Sequence, residues 1–297
     1  MSELRHFDRE AILALDPRRV ADAMADALAK VSRGAAVAPV RTHIDLGDGK
    51  GTYLISGALN ELDLLTVKVI SVRPRNPEHG LARLQGFLSA FEASTGRPLA
   101  TLDAPAATET RTAACSAVSL RLMARPDATV LTVFGSGPQA EAHVRALTAE
   151  RPFGEVRTVT RADGAQRRAD ALLGAGVIVT ATNSTTPVFA AADVEAGAHV
   201  ICVGSGNAGA AEVEPELLAR AAAIRVDHLQ SCLEEAGEVV RAVRGGFIEA
   251  AAVHELGEVL LSRVQGRRSP DEITVYKSVG NGTQDAALAA LLLGRMP

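Results

Sequence analysis

The segment TVLTVFGSGPQA (residues 129–140) is typical of a buried strand, a glycine-rich turn and the start of a helix. Gly135 permits a tight turn, and Gly137 lets the backbone approach a pyrophosphate closely. Ala140 keeps the helix near the strand, and Pro138 suits the first helical turn. The N–H groups at the start of the helix would then face the phosphates. The segment therefore predicts a dinucleotide site containing Gly135, Ser136, Gly137, Pro138, Gln139 and Ala140.

Apolar, β-rich runs alternate with helical segments beyond Pro126, as in a parallel sheet that is covered on both faces. The connection between Thr160 and Val177 has room for one helix, where a mononucleotide-binding half usually carries another strand and helix. Either this sheet lacks an edge strand, or residues are missing from the sequence. The fold class predicted is α/β, a Rossmann doubly wound parallel sheet. Its predicted strands are Thr129–Phe134, Glu155–Thr160, Val177–Ala181, His199–Val203 and Ala223–Val226.

The first third of the chain has a different pattern, with short alternating runs and glycine breaks. Asp16 is a predicted N-cap for a helix that ends before Gly34. A hairpin is expected to turn at Ser94–Gly96. This part is predicted to be an α+β module. Its elements are a helix at Asp16–Ser32, strands at Thr52–Ile55, Thr66–Ile70, Leu84–Phe91 and Pro98–Leu102, and a connecting helix at about Thr108–Ala124.

Composition limits the classes of function. A chain of 297 residues suggests two domains. Its formal charge of −4 does not indicate a basic surface that would bind nucleic acid or an anionic membrane. Cys115, Cys202 and Cys232 are far apart and form no CxxC pair, which argues against disulfides and a zinc site. No apolar run is long enough to span a bilayer, and the N-terminal residues are polar. We therefore expect a cytoplasmic protein without a metal site, bound neither to nucleic acid nor to a membrane.

The end of the second predicted strand bears on the choice of coenzyme. An NAD site usually has Asp or Glu there, which accepts hydrogen bonds from the ribose 2′-hydroxyl. This chain has Thr160 and Arg161. A guanidinium can pair with a 2′-phosphate, whereas an acid would repel it. These two residues predict NADP, with NAD as the alternative and an ordinary surface charge as the other interpretation of Arg161.

Several motifs together resemble the ornithine cyclodeaminase/mu-crystallin family, and they occur in family order along nearly the whole chain. The resemblance implies an enzyme of amino and imino acids that uses a nicotinamide cofactor and forms a homodimer. It further implies a substrate-binding and dimerisation domain (residues 1–113 and 279–297) and an inserted Rossmann domain (residues 114–278). The matching motifs are Pro39-Val40-Arg41, Val67–Ile70, Thr108–Ala114, the glycine turn, Thr180–Ser184 and Tyr276–Gly280.

The same resemblance implies that Arg41, Lys68 and Arg111 contact the substrate. Independently, Lys68 interrupts an apolar β-run, and a buried cation without a partner is costly. Three cations would form a clamp for a carboxylate, and Lys68 could also donate a proton to the nitrogen that becomes an amine. The alternatives are an edge strand from which Lys68 reaches water, and an exposed helix position for Arg111.

Further cofactor contacts are expected. The resemblance alone implies Ser278 and Gly280, and Thr182 lies in one of the matching motifs. Ser205 and Asn207 could hold the ribose or carboxamide of the cofactor. Asp285 follows on a helix, where a carboxylate in the first turn would favour the helix dipole.

One position departs from the family pattern. Cyclodeaminases carry an aspartate where this chain has Gly206, and neither Gly206 nor Asn207 can act as the base that cyclisation of ornithine requires. Reduction of an imine needs no such base. The predicted function is therefore NAD(P)H-dependent reduction of small 2-imino acids (ketimine carboxylates). The alternatives are ornithine cyclodeaminase, an alanine-type amino-acid dehydrogenase, and a non-catalytic NADP-binding protein of the mu-crystallin type.

Overall fold

The computed structural model describes residues 4–296. The chain folds into two compact units. The first unit runs up to Arg111 and resumes at Asn281, and the second comprises Thr112–Gly280. The functions assigned above to the two parts of the chain stay predictions at this point.

The secondary structure of the described residues is as follows. The strands are β1 (Arg5–Phe7), β2 (Thr42–Asp45), β3 (Gly51–Leu59), β4 (Leu64–Val72), β5 (Leu84–Glu92), β6 (Pro98–Asp103), β7 (Val130–Phe134), β8 (Glu155–Val159), β9 (Val177–Thr180), β10 (His199–Cys202), β11 (Ala221–Val226), β12 (Val253–Glu255) and β13 (Ile273–Lys277). The α-helices are α1 (Arg9–Leu13), α2 (Pro17–Ser32), α3 (Ala104–Met123), α4 (Pro138–Glu150), α5 (Ala165–Leu172), α6 (Pro215–Arg220), α7 (Leu229–Glu235), α8 (Gly237–Arg244), α9 (Leu256–Leu260) and α10 (Gly282–Leu293).

A six-stranded sheet forms the first unit, with strand order β1-β6-β5-β4-β3-β2. Neighbours from β2 to β6 are antiparallel, whereas β1 pairs with β6 in parallel. Burial alternates along β4, where Leu64, Thr66, Lys68 and Ile70 are buried and the residues between them are partly buried. α10 packs on β3, β4 and α2. The face of the sheet that carries Lys68 is thus the face beneath α10.

Two glycines bring the start of α10 against β3. A Cβ at Gly57 would collide with the backbone of Gly282. The Thr66 hydroxyl donates a hydrogen bond to the Gly282 carbonyl at 3.1 Å. Asn281 caps the helix, because its Oδ1 accepts from the Thr283 N–H at 3.0 Å. These contacts fix the first turn of α10 over the middle of the sheet.

The second unit contains a seven-stranded sheet with order β12-β11-β13-β10-β9-β7-β8. Every pair of neighbours is parallel, and buried aliphatic side chains fill the core. The predicted doubly wound Rossmann class is confirmed. Two strands of this sheet, β12 and β13, were not predicted from the sequence. β13 lies between β10 and β11, in the interior of the sheet.

The short connection after β8 contains α5 alone and leads directly to β9. β8 is the edge strand of the sheet, since the strand order ends with it. Among the described residues, the sheet therefore has no strand beyond β8.

The helix predicted from about Thr108 begins earlier, at Ala104 in α3. The Asp103 carboxylate accepts a hydrogen bond from the Ala106 N–H at 2.7 Å and so satisfies a free donor of the first turn. Arg111 consequently lies in the middle of α3 rather than in its first turn. None of the described helices is both long and apolar enough to cross a membrane.

Candidate active site

The glycine-rich turn has the geometry that the sequence predicts. Gly135 has a φ of +124°, and a Cβ there would collide with the Ala181 carbonyl oxygen. Gly137 is the N-cap of α4, and Pro138 occupies its first turn. A Cβ at Gly137 would meet open space among the described residues. The backbone N–H groups at the start of α4 are thus accessible to an anion.

An acidic residue that the sequence analysis did not single out follows β8. Asp163 Oδ2 accepts hydrogen bonds from the Thr160 N–H at 2.7 Å and from the Thr160 hydroxyl at 2.9 Å. The hydrogen bond from the Thr160 backbone, together with that from its hydroxyl, lowers the pKa of Asp163. Arg161 is exposed. The end of β8 therefore presents a guanidinium to solvent, while the nearby carboxylate is held by Thr160.

Buried Glu212 ties together the segments that follow β9 and β10. Its carboxylate accepts hydrogen bonds from the hydroxyl groups of Thr180 (2.9 Å) and Thr182 (2.7 Å). It also accepts from the N–H groups of Thr182 and Gly204, both at 2.7 Å. Burial raises the pKa of Glu212. Thr182 is a predicted cofactor residue, and its hydroxyl thus already donates a hydrogen bond to Glu212.

A second buried carboxylate holds Ser205. The Ser205 hydroxyl donates to Glu238 at 3.0 Å, and Lys277 donates to the Ser205 carbonyl at 2.6 Å. Lys277 and Glu238 also form an ion pair at 3.0 Å. Although burial opposes it, Glu238 and then Glu212 raise the pKa of Lys277 above its ordinary value. Asn207, the third residue predicted here, is exposed and accepts from the Gly209 N–H at 2.7 Å.

Asp227, at the end of β11, organises the predicted Ser278–Gly280 turn. Its Oδ2 accepts from the Ser278 hydroxyl at 2.9 Å and from the Gly280 N–H at 2.7 Å. Its Oδ1 accepts from the Val279 N–H at 3.2 Å. One buried carboxylate therefore sets the conformation of three consecutive residues. The signal available in the sequence is an Asp directly after the predicted strand Ala223–Val226.

Lys68 is buried in the first unit, beneath α10. Its Nζ donates to Asp285 Oδ1 at 2.8 Å and to the Thr108 hydroxyl at 3.2 Å, and lies 2.8 Å from Asp285 Oδ2. β4 is an interior strand and Lys68 is 0% exposed, so the edge-strand alternative is wrong. Asp285 lies in the first turn of α10, as expected, but its main contact is with this ammonium group rather than with solvent.

Arg111 approaches the same carboxylate from α3. Its Nη1 donates to Gln284 Oε1 at 2.7 Å, and its Nε lies 3.6 Å from Asp285 Oδ1. Arg111 is 4% exposed, so the alternative of an exposed helix residue is also wrong. The guanidinium is thus held by two neighbouring residues of α10.

Arg41 lies on an aromatic ring. Its Cζ is 4.6 Å from the centroid of Tyr53, and His43 stacks on the same ring at 4.4 Å. A guanidinium over an aromatic face gains cation–π attraction. Tyr53 and His43 belong to the neighbouring strands β3 and β2 and are directly paired. Neither residue could be identified from the sequence, because the stack depends on strand pairing.

The electrostatics of this cluster favour an anionic ligand. Burial lowers the pKa of Lys68 to about 8; Asp285 opposes this effect, whereas Arg111 and Arg41 contribute to it. The three predicted cations, Arg41, Lys68 and Arg111, therefore lie close enough to influence one another. An anionic ligand would offset the repulsion that Arg111 and Arg41 exert on the Lys68 ammonium. No group of three or more metal-ligating His, Cys, Asp or Glu side chains exists among residues 4–296.

Comparison with known proteins gives one consistent family. A family model described as ornithine cyclodeaminase/mu-crystallin matches residues 10–296. A Delta(1)-pyrroline-2-carboxylate reductase of Bacillus cereus is 32% identical over 287 residues, covering 90% of this chain and 88% of the relative.

Solved structures agree with the fold. The Delta(1)-pyrroline-2-carboxylate reductase of Thermococcus litoralis has a TM-score of 0.91 at 24% identity, covering 98% of this chain and 97% of the other. An archaeal alanine dehydrogenase dimer with bound NAD has a TM-score of 0.88 at 26% identity, covering 98% and 95%.

Proposed function

The chain belongs to the ornithine cyclodeaminase/mu-crystallin family, and we propose that it is an NAD(P)H-dependent reductase of small 2-imino acids. The observation that carries this proposal is the buried cluster of Lys68, Arg111 and Asp285, with half-buried Arg41 close enough to act on Lys68. A clamp of this kind suits a carboxylate next to a C=N bond. The relative from Bacillus cereus, named for reduction of such a cyclic imino acid, supports the same substrate class.

The second unit suits a nicotinamide dinucleotide. The open backbone at Gly137 and the start of α4 would hold the pyrophosphate. The Ser278–Gly280 turn, fixed by Asp227, would contact the nicotinamide. When bound, the reduced cofactor supplies a hydride to the imine carbon. The alanine dehydrogenase relative binds NAD, in line with a nicotinamide cofactor of this class.

The first unit would orient the substrate and supply the proton. Arg41 and Arg111 bind the carboxylate, with Arg111 offering a planar fork for two parallel hydrogen bonds. The Lys68 ammonium donates a proton to the imine nitrogen as that atom gains electron density. Because the pKa of Lys68 is lowered to about 8, its acid form predominates at neutral pH while its proton is more easily released than that of an ordinary lysine.

The purified protein should oxidise NADPH or NADH when given Δ1-pyrroline-2-carboxylate, followed by the absorbance of the reduced nicotinamide. Arg111→Lys should lower kcat/KM by about 2–3 kcal/mol, roughly 30- to 160-fold, because a bidentate pair becomes a point contact.

Arg75→Lys is the matched control for this variant, because the Arg75 side chain is 81% exposed. It should keep wild-type kinetics. Wild-type kcat/KM in Arg111→Lys would contradict the clamp. Tight coenzyme binding without oxidation on any imino acid of a panel would instead favour a binding protein over an enzyme.

Coenzyme choice is the second part of the proposal, and we propose that NADPH binds more tightly than NADH. Arg161 is exposed and Asp163 is held by Thr160. Arg161→Ala should weaken NADPH by on the order of tenfold, since a charge-assisted contact to the 2′-phosphate is lost, and leave NADH almost unchanged. Fluorescence titration of both coenzymes measures this, with exposed Arg244→Ala as the control. Equal or tighter binding of NADH to the wild type would contradict the preference.

We further propose that the chain forms a homodimer through the sheet face opposite α10. Leu54 and Phe87 both pair with Val69 and form an apolar row across β3, β4 and β5. Leu54 is 37% and Phe87 55% exposed, which is unusual for large apolar side chains in a row. The alanine dehydrogenase relative is described as a dimer.

Light scattering of the wild type should give twice the chain mass, and a Phe87→Glu variant should give the mass of one chain. A wild-type monomer at micromolar concentration would contradict the proposal.

A further inference from the structure

The Asp285 carboxylate is not needed to cap α10. Asn281 already accepts from the Thr283 N–H, and the Gly57–Gly282 contact fixes the first turn of the helix on β3. Asp285 is nonetheless 0% exposed and has two cationic neighbours, Lys68 and Arg111. Replacing a buried ion pair by apolar residues is often neutral or stabilising, so the pair is weak evidence for a purely structural role.

We propose that Asp285 is a positioning residue of the imine-reducing site, which fixes the Lys68 ammonium and the Arg111 guanidinium from the first turn of α10. The inference rests on the proposed function. Two hydrogen-bonding directions define the ammonium position, because Nζ also donates to the Thr108 hydroxyl of α3 at 3.2 Å. Asp285 leaves the remaining Nζ donor for the substrate nitrogen, since a lysine ammonium has three.

The charge of Asp285 also sets the pH range in which Lys68 can act. The charged groups that act on Lys68 are Asp285 of α10, Arg111 of α3, and Arg41 ahead of β2. Burial and the two arginines lower the pKa of Lys68, and Asp285 alone among these raises it. Removing the carboxylate charge must therefore lower the pKa of Lys68 further below about 8, and a smaller fraction of Lys68 is then in the acid form at neutral pH.

Asp285→Asn tests this through the pH dependence of kcat/KM, which reports ionisations of the free enzyme. A reaction that needs protonated Lys68 is fast below its pKa and slows as the pH rises through it. The fall of kcat/KM at high pH is the basic limb of the profile. In the variant this limb should move to lower pH by about 1–3 units, as expected for loss of one close opposite charge. Its rate should recover as the pH is lowered. A uniform loss of rate with an unmoved limb would overturn the proposal and leave a structural role.

Asp285→Glu is the second variant, because it retains the charge. In this variant kcat/KM should fall at nearly the same pH as in the wild type, even where the rate itself is lower. A basic limb displaced as far as in Asp285→Asn would contradict a role for the charge. Asp48→Asn is the control, because the Asp48 side chain is 89% exposed and Asn tolerates its positive φ of 53°.

Titration of Lys68 by its ¹³Cε signal in NMR separates this inference from the proposed function. The midpoint should fall in Asp285→Asn whether or not an imine is reduced. An unchanged midpoint would overturn the inference even if the enzyme is active. A wild type that titrates as expected but reduces no imine would overturn only the proposed function.

Discussion

Lys68→Met is expected to lower kcat/KM for imine reduction by roughly 10²–10⁴-fold, the contribution of a positioned general acid. The Lys68 Nζ is buried and lies near Arg111 and Arg41, and burial lowers its pKa to about 8. The wild type should therefore lose activity as the pH rises through about 8, where the ammonium deprotonates. Lys68→Met should lose this limb along with most of its rate, as measured by steady-state kinetics across pH.

An unpaired Asp285 is the competing explanation for a large loss in this variant. Removing one partner of a buried pair costs about 3–5 kcal/mol of stability, because the other charge remains uncompensated. The double variant Lys68→Met/Asp285→Asn removes both charges. Its thermal stability should return toward that of the wild type while its activity stays low. Recovery of activity with stability would show that Lys68 is not the proton donor.

Lys50→Met serves as the matched lysine control. Lys50 lies in the loop before β3, its side chain is 43% exposed, and its partner Asp48 is exposed as well. Its loss should change neither the rate nor the basic limb. NADPH binding by each variant checks that the second unit is folded.

The dinucleotide turn could be predicted from sequence because all of its determinants are local. Gly135, Gly137 and Ala140 act within a single strand-to-helix connection, and each has a role set by backbone geometry. The short connection after β8 was visible for the same reason. Spacing along the chain was sufficient to show that only one helix fits between Thr160 and Val177.

Asp285 could not be assigned from sequence, although the residue was noticed. It pairs with Lys68 across 217 positions in the chain, and nothing local to α10 indicates which strand lies beneath it. Family resemblance suggested Lys68 and Arg111 but supplied no partner for their charges. The pairing depends on the glycines at Gly57 and Gly282, whose close contact becomes visible only in the folded chain.

β13 was missed for a different reason. Ile273–Lys277 contains Thr274, Tyr276 and Lys277, so it lacks the continuous aliphatic run that indicates a buried parallel strand. Two of these polar side chains, Thr274 and Lys277, find partners inside the protein. Thr274 donates to the Met123 carbonyl at 3.1 Å, and Lys277 pairs with Glu238. Partners from distant segments allow polar side chains in an interior strand, and periodicity alone does not reveal such partners.

Ornithine should not be converted to proline and ammonia at an appreciable rate. Cyclisation requires deprotonation of the side-chain ammonium, which is almost wholly protonated near neutral pH, and a positioned base contributes roughly 10²–10⁴-fold. By family resemblance the base belongs where this chain has Gly206. Neighbouring Glu212 does not replace it, because it is 0% exposed and accepts hydrogen bonds from Thr180, Thr182 and Gly204.

Two other acidic groups, one near Gly206 and one in the substrate cluster, are also paired with cations. Glu238 is paired with Lys277, and Asp285 with Lys68.

Proline and ammonia released from ornithine in the presence of NAD⁺ measure the cyclising activity directly, with imine reduction by the same preparation as the positive control. Gly206→Asp restores a carboxylate at the family position and should raise the rate of proline formation above that of the wild type. Robust turnover of ornithine by the wild type would contradict this prediction, since it would require a base that none of these paired carboxylates supplies.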